Sequence, residues 1–158
     1  MWLEAECAPA GGGGGSATAG EANGKLTEAR DKARKFVASG KLKEGLVELQ
    51  SGLAGATQRR DRFLWRLQIA QLCFDAQKLQ LASPLLEECH EEVRRHGIDE
   101  WEPSLAVHVA ETLYRCRKSL VSAEKAPSPA SIEKLRDSFA WLCQLDPVAA
   151  LSVEPSAT

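Results

Sequence analysis

Three histidines and five cysteines are the side chains in this chain best suited to ligate a soft metal or act as nucleophiles. Their spacing does little for that chemistry. Cys89 and His90 are neighbours, so on a helix they point about 100° apart. His108 and Cys116 are eight residues apart, which separates them by more than ~10 Å along a helix axis. His96 has no cysteine within a helical turn. Cys7, Cys73, Cys89, Cys116 and Cys143 are odd in number and widely spaced, with no C-x-x-C pair for zinc or for dithiol redox work. Four of the five lie in helical patterns beside Leu, Phe or Trp, where a free thiol acts as a small hydrophobe in a reducing compartment. A Cys–His nucleophilic pair stays open as a reading, but nothing selects one cysteine for it. Gly11–Gly15 lacks the Lys-Ser/Thr ending and the preceding strand of a phosphate loop. Glu87 and Glu91 fall one turn apart on a polar helix face, where solvation is the default. The expectation is a protein without catalytic residues, cofactor or metal.

The elements that would position these side chains are all helical. Lys and Arg total 20 against 22 Asp and Glu, a formal net charge of -2, with both signs mixed along the chain. That argues against nucleic acid, which calls for a basic excess or stripe. Arg59, Arg60 and Arg62 form a short basic cluster, interrupted by Asp61, that reads as a solvated helix start. No basic-then-apolar leader is visible at the N-terminus, and no apolar run approaches the ~20 residues of a membrane span. These features predict a soluble, cytoplasmic protein without membrane insertion.

Residues 1–23, with Gly11–Gly15 at their centre, read as a flexible linker. Residues 153–158 read as a disordered tail, leaving 24–152 as one all-helical domain. Leu26–Ser39 has helical spacing and Gly40 as its stop; a second helix starts near Leu42, giving a hairpin of the tetratricopeptide type. The third helix, about Thr57–Gln77, is apolar on two faces: Phe63, Leu64, Leu67, Ala70 and Phe74 on one, Trp65, Ile69, Leu72 and Cys73 on the other. A small soluble helix normally hides one stripe, so this one calls for neighbours on two sides. The fourth runs from about Leu79 to His96 and stops at Gly97. Leu85, Leu86, Cys89 and Val93 form its core stripe, and Glu87, Glu88, Glu91 and Glu92 face water. Pro84 either opens it after Ser83 or follows a preceding helical turn. Pro103 starts the fifth, to about Ser122. Ser128 caps the sixth, with Pro129 at its first position, and Asp146-Pro147 ends it, leaving Val148–Leu151 for one more turn. No period-two apolar run appears. The predicted fold is all-α: stacked antiparallel helical hairpins, a TPR-like bundle of about six helices.

Trp101-Glu102-Pro103 is the sharpest local feature, because the proline restricts Glu102 to extended geometry. Two roles fit it. Trp101 can staple the start of the next helix, which composition favours, or it can stand on an exposed loop and anchor a partner.

The stretch Arg62-Phe63-Leu64-Trp65-Arg66-Leu67, the turn Ala82–Leu86, Trp101-Glu102-Pro103 with Leu105, and Leu113-Tyr114-Arg115-Cys116 come in an order that resembles the C-terminal region of the TssA proteins of bacterial type VI secretion, the branch also called VasJ or ImpA-related. The similarity extends from Lys25 to about Leu151. In that family an ImpA-type domain and a middle helical region precede a C-terminal ring-forming domain. The chain has room only for the last, so the resemblance points to a C-terminal fragment or a shortened member. It implies a non-catalytic assembly protein: a homo-oligomeric ring, decamer or dodecamer, that works with baseplate, tail sheath and inner-tube components. A ring supplies the second burial surface that the third helix calls for by repeating one heterologous contact. Leu64, Trp65, Ile69 and Leu72 are the candidates for that contact, and Trp101, Glu102 and Pro103 for a loop that docks a tail component. The competing reading is a monomeric TPR-like adaptor that binds a partner peptide between hairpins.

Overall fold

The computed structural model describes residues 9–153, with side chains from Asn23 onward. These form eight α-helices: α1 Pro9–Ala38, α2 Leu42–Gly55, α3 Arg59–Asp75, α4 Leu79–His96, α5 Ile98–Trp101, α6 Pro103–Ala123, α7 Pro129–Leu145 and α8 Pro147–Val153. Among the described residues there is no strand, and no helix is long and apolar enough to cross a membrane. The all-α expectation holds. The two helices beyond the expected six are short: the Trp101 joint winds into α5, and the turn after Asp146 extends into α8.

The chain divides into two compact units at the Trp65/Arg66 bond, within α3, where the sequence predicts a single domain. The expected linker overlaps the helical residues Pro9–Asn23 of α1, and its residues 1–8 lie outside the described residues. Helix propensity gives no support to that portion, since each glycine of Gly11–Gly15 disfavours a helix by about 1 kcal/mol relative to alanine. Val153 belongs to α8, and the rest of the expected tail, 154–158, lies outside the described residues.

In the first unit α1 and α2 form an antiparallel hairpin that buries Ala33, Gly45 and Leu49. Its turn is set by Gly40, at φ 76°. There the Gly40 N–H donates to the Val37 carbonyl (2.9 Å) and the Lys41 N–H to the Phe36 carbonyl (2.7 Å). That is the left-handed helix stop that glycine makes without strain. The same motif ends α3, but with a side chain in the strained position: Gln77 has φ 62°, and Lys78 N–H donates to the Cys73 carbonyl at 2.8 Å. Gly97, at φ 60°, ends α4 as its position predicts.

In the second unit α4 and α7 both rest on α6. Leu86, Cys89 and Val93 of α4 and Val109, Leu113 and Cys116 of α6 are fully buried. A further cluster joins Ala110 and Tyr114 of α6 to Leu142 of α7 and Ala150 and Val153 of α8. Tyr114 and Phe139 meet with centroids 5.3 Å apart. The caps follow the sequence. Ser128 accepts from the Ser131 N–H (3.1 Å) ahead of Pro129. Asp146 Oδ1 accepts from the N–H groups of Val148 (3.0 Å) and Ala149 (3.2 Å), which opens α8 directly after α7. Pro84 lies inside α4, so the helical-turn alternative is the one realised.

Candidate assembly surface

Burial separates the apolar side chains that build the units from those left on the surface. Trp65 belongs to the first group, at 6 % exposure. Its indole packs against Gly52 of α2, so close that a Cβ at that position would collide with the ring. A groove of about 480 Å³ runs beside it, with Gly52, Gly55 and Ala56 in its wall and Lys32 paired to Glu48 across it at 3.2 Å. Gly52 is thus the seat of the tryptophan. Ile69 and Leu72 are also buried within the chain, and Leu64 is half-buried. Of the four residues assigned to a ring contact, Leu64 alone keeps appreciable surface.

Two expected assignments on α4 exchange places. Leu85, expected in the core stripe, is exposed, together with Leu81 one turn earlier. Glu92, expected in water, is 4 % exposed and accepts a hydrogen bond from the Arg66 guanidinium at 2.7 Å. Both residues lie on the flank of the helix, about 60–80° from the centre of its buried stripe, where periodicity alone does not separate core from surface. The Arg66 cation decides it, since a carboxylate is buried only when paired.

A second apolar pair stands on α8. Val148 is 76 % exposed and Leu151 is 70 % exposed. Three apart on a helix, they share a face. Single exposed apolar residues are ordinary, but pairs at helical spacing on two elements form patches. Sequence reasoning passed over the α8 pair because a seven-residue helix shows too little periodicity to assign its faces.

Trp101 is half-exposed, with its Nε1–H donating to the His96 carbonyl at 3.1 Å. It therefore satisfies an end carbonyl of α4 and leaves much of the ring in solvent; it is not a buried staple. Glu102 precedes the α6 start at φ −139° and ψ 66°, outside the helical region but short of the fully extended geometry expected before a proline, and Pro103 is exposed at the first position of α6.

The reactive side chains are dispersed. Among the described residues, no three His, Cys, Asp or Glu side chains converge on a point that could hold a metal ion. Burial pushes the Cys89 thiol up to about 12, aided by Glu92, and the Cys116 thiol up to about 11. Both are protonated at neutral pH and poor nucleophiles. His90 stacks on Trp141 rather than turning toward Cys89. Cys7 lies outside the described residues.

The described residues thus form an all-helical scaffold with apolar pairs left in solvent on α4 and α8. The comparisons with known proteins are specific about its kind. The family model described as "Type VI secretion, EvfE, EvfF, ImpA, BimE, VC_A0119, VasJ" matches residues 1–113. The chain belongs to this family of type VI secretion proteins. Among solved structures, "EAEC T6SS TssA-Cterminus" superposes with a TM-score of 0.71 at 22 % identity, over 79 % of this chain and 95 % of that one. At that identity the likeness is one of fold. No match is found among the curated proteins.

Proposed function

We propose that the chain is a structural, non-catalytic subunit of the type VI secretion machinery that assembles into a homo-oligomeric ring and acts in the cytoplasm with baseplate, sheath or inner-tube components. The observation that carries this reading is the pairing of family membership with two separate apolar patches, Leu81/Leu85 on α4 and Val148/Leu151 on α8. Two unlike patches on one chain suit a head-to-tail contact, which closes into a ring when repeated. Burying one such pair stabilises a contact by about 2–4 kcal/mol on area grounds, enough to be felt in assembly. Half-buried Leu64 is a further candidate for the contact. Trp65, Ile69 and Leu72 serve the ring indirectly, by holding the helices that present it.

The double substitution Val148→Glu/Leu151→Glu tests the contact. It is expected to leave helix content intact, because both side chains stand in solvent, and to reduce the solution mass to that of a monomer or small oligomer. An unchanged large mass would remove α8 from the contact.

The Trp101–Pro103 joint is proposed as the docking element for a tail component. An aromatic ring oriented by one hydrogen bond and left half in solvent is a suitable anchor. Trp101→Ala is expected to lower stability by no more than about 1 kcal/mol, the worth of a typical hydrogen bond, and to leave the assembled mass unchanged. Circular dichroism melts and light scattering check both. Loss of the fold would return Trp101 to a purely structural role.

A further inference from the structure

Between α4 and α7 the second unit holds an open groove of about 860 Å³ that the assembly reading does not use. Both helices rest on α6, so the groove has helical walls and a helical floor, the shape into which an amphipathic helix lays its apolar face. Its aromatic centre is Trp141, half-buried, with its ring on His90 at a centroid separation of 3.9 Å and an interplanar angle of 33°.

The charges around this centre are unequal. Glu87 is held within the wall by Arg117 at 3.5 Å and Lys134 at 3.9 Å, a group with one net positive charge, so the whole lining sets five carboxylates against three cations. Arg117 is tied further by donating to the Lys134 carbonyl at 2.9 Å. Of the remaining lining charges, Glu91, Asp99, Glu100 and Asp137 stand against Arg94 alone. None of these four carboxylates has an ion-pair partner among the described residues. His90 brings no compensating charge at neutral pH: burial first, then Arg117 and Arg94, hold its pKa below the ordinary value. The groove therefore carries a carboxylate excess from three elements, α4, α5 and α7, around an apolar spot. Phosphate-bearing partners are repelled by such a lining.

We propose that this groove docks a basic helical segment of a partner protein, its cations set against Glu91, Asp99, Glu100 and Asp137 and an apolar side chain seated on Trp141. The complementarity steers encounter and selects the partner's charge, while the aromatic contact supplies the desolvated anchor. This docking does not rest on the ring reading, since neither exposed leucine of α4 nor α8 lines the groove.

The test uses the full chain and two fluorescein-labelled amphipathic peptides of about 14 residues, four helical turns. One carries lysine and leucine, the other glutamate and leucine in the same pattern. Fluorescence anisotropy is expected to show binding of the lysine peptide and none of the glutamate peptide. Glu91→Lys/Asp137→Lys is expected to weaken the lysine peptide at least about tenfold. Glu44→Lys/Glu133→Lys makes the same change of net charge at exposed positions outside the groove and is expected to alter binding by less than about twofold. Equal losses in the two variants, or no binding of the lysine peptide, would overturn the proposal. So would a changed solution mass of Glu91→Lys/Asp137→Lys, which would show a second copy of the chain in the groove.

Discussion

Trp65→Asp is expected to leave no stably folded protein. The indole is 6 % exposed and lies against the bare backbone of Gly52, where no side chain can move in to fill the space it leaves. Truncating a buried tryptophan to alanine costs about 3–5 kcal/mol. Aspartate also replaces the buried indole with a carboxylate, at a further cost of about a few kcal/mol or a protonation. The sum exceeds a large share of the 5–15 kcal/mol that stabilises a typical domain. Soluble yield and far-ultraviolet dichroism check this. A Trp65→Asp protein that melts normally and loses only its assembled mass would put Trp65 on the contact between copies instead of in the first unit's core. The reciprocal change, Gly52→Ala, drives a methyl group into the same ring and should destabilise in the range of ~1–3 kcal/mol typical of overpacking.

Arg66→Ala is expected to be the next most damaging change. It removes the cation from a buried carboxylate: the Glu92 side chain is 5 % exposed, and its Oε1 lies 2.7 Å from the Arg66 guanidinium. Stranding one member of a buried pair costs about 3–5 kcal/mol. Arg66 itself is 37 % exposed, so water reaches its side of the pair and the lower end of that range applies. Urea titration of the variant should show it as a lowered midpoint with an unchanged slope. Arg66→Leu/Glu92→Leu removes both charges and should recover most of the loss, because the penalty lies in the unpaired carboxylate rather than in the absence of the ion pair. A loss below about 1 kcal/mol in Arg66→Ala would mean that solvent or another cation satisfies Glu92.

The residues that could be read from sequence are those whose roles are local. Gly40 and Gly97 stop helices because left-handed backbone suits glycine, and Ser128-Pro129 starts one because the hydroxyl and the fixed φ act within a single turn. The end of α4 at Gly97 follows directly from such a signal, whereas its start does not: Ser83-Pro84 falls inside the helix. Gln77 was not legible in the same way, since its left-handed φ breaks the glycine rule. The exchange of Leu85 and Glu92 has a tertiary cause as well: Arg66, 26 residues away, is what allows the carboxylate inside. The double apolar face of α3 was legible, but its explanation was not. Trp65, Ile69 and Leu72 find cover within the chain, while exposed large apolar side chains such as Leu81, Val148 and Leu151 stand on helices whose sequence patterns are less emphatic. The Cys and His residues divide in the same way. Their spacing argued against a shared site, but burial, which pushes the Cys89 and Cys116 thiols well above their ordinary value, is read only from the structure.

The central claim is that this family member works by assembling, and the solution mass of the purified chain tests it most directly. Light scattering behind a sizing column at micromolar concentration is predicted to give a decamer or dodecamer of the 17.2 kDa chain, with Val148→Glu/Leu151→Glu falling to a monomer or small oligomer in the same buffer. A clean 17.2 kDa monomer for the unmodified chain would contradict the account and favour an adaptor that holds a partner segment between its hairpins.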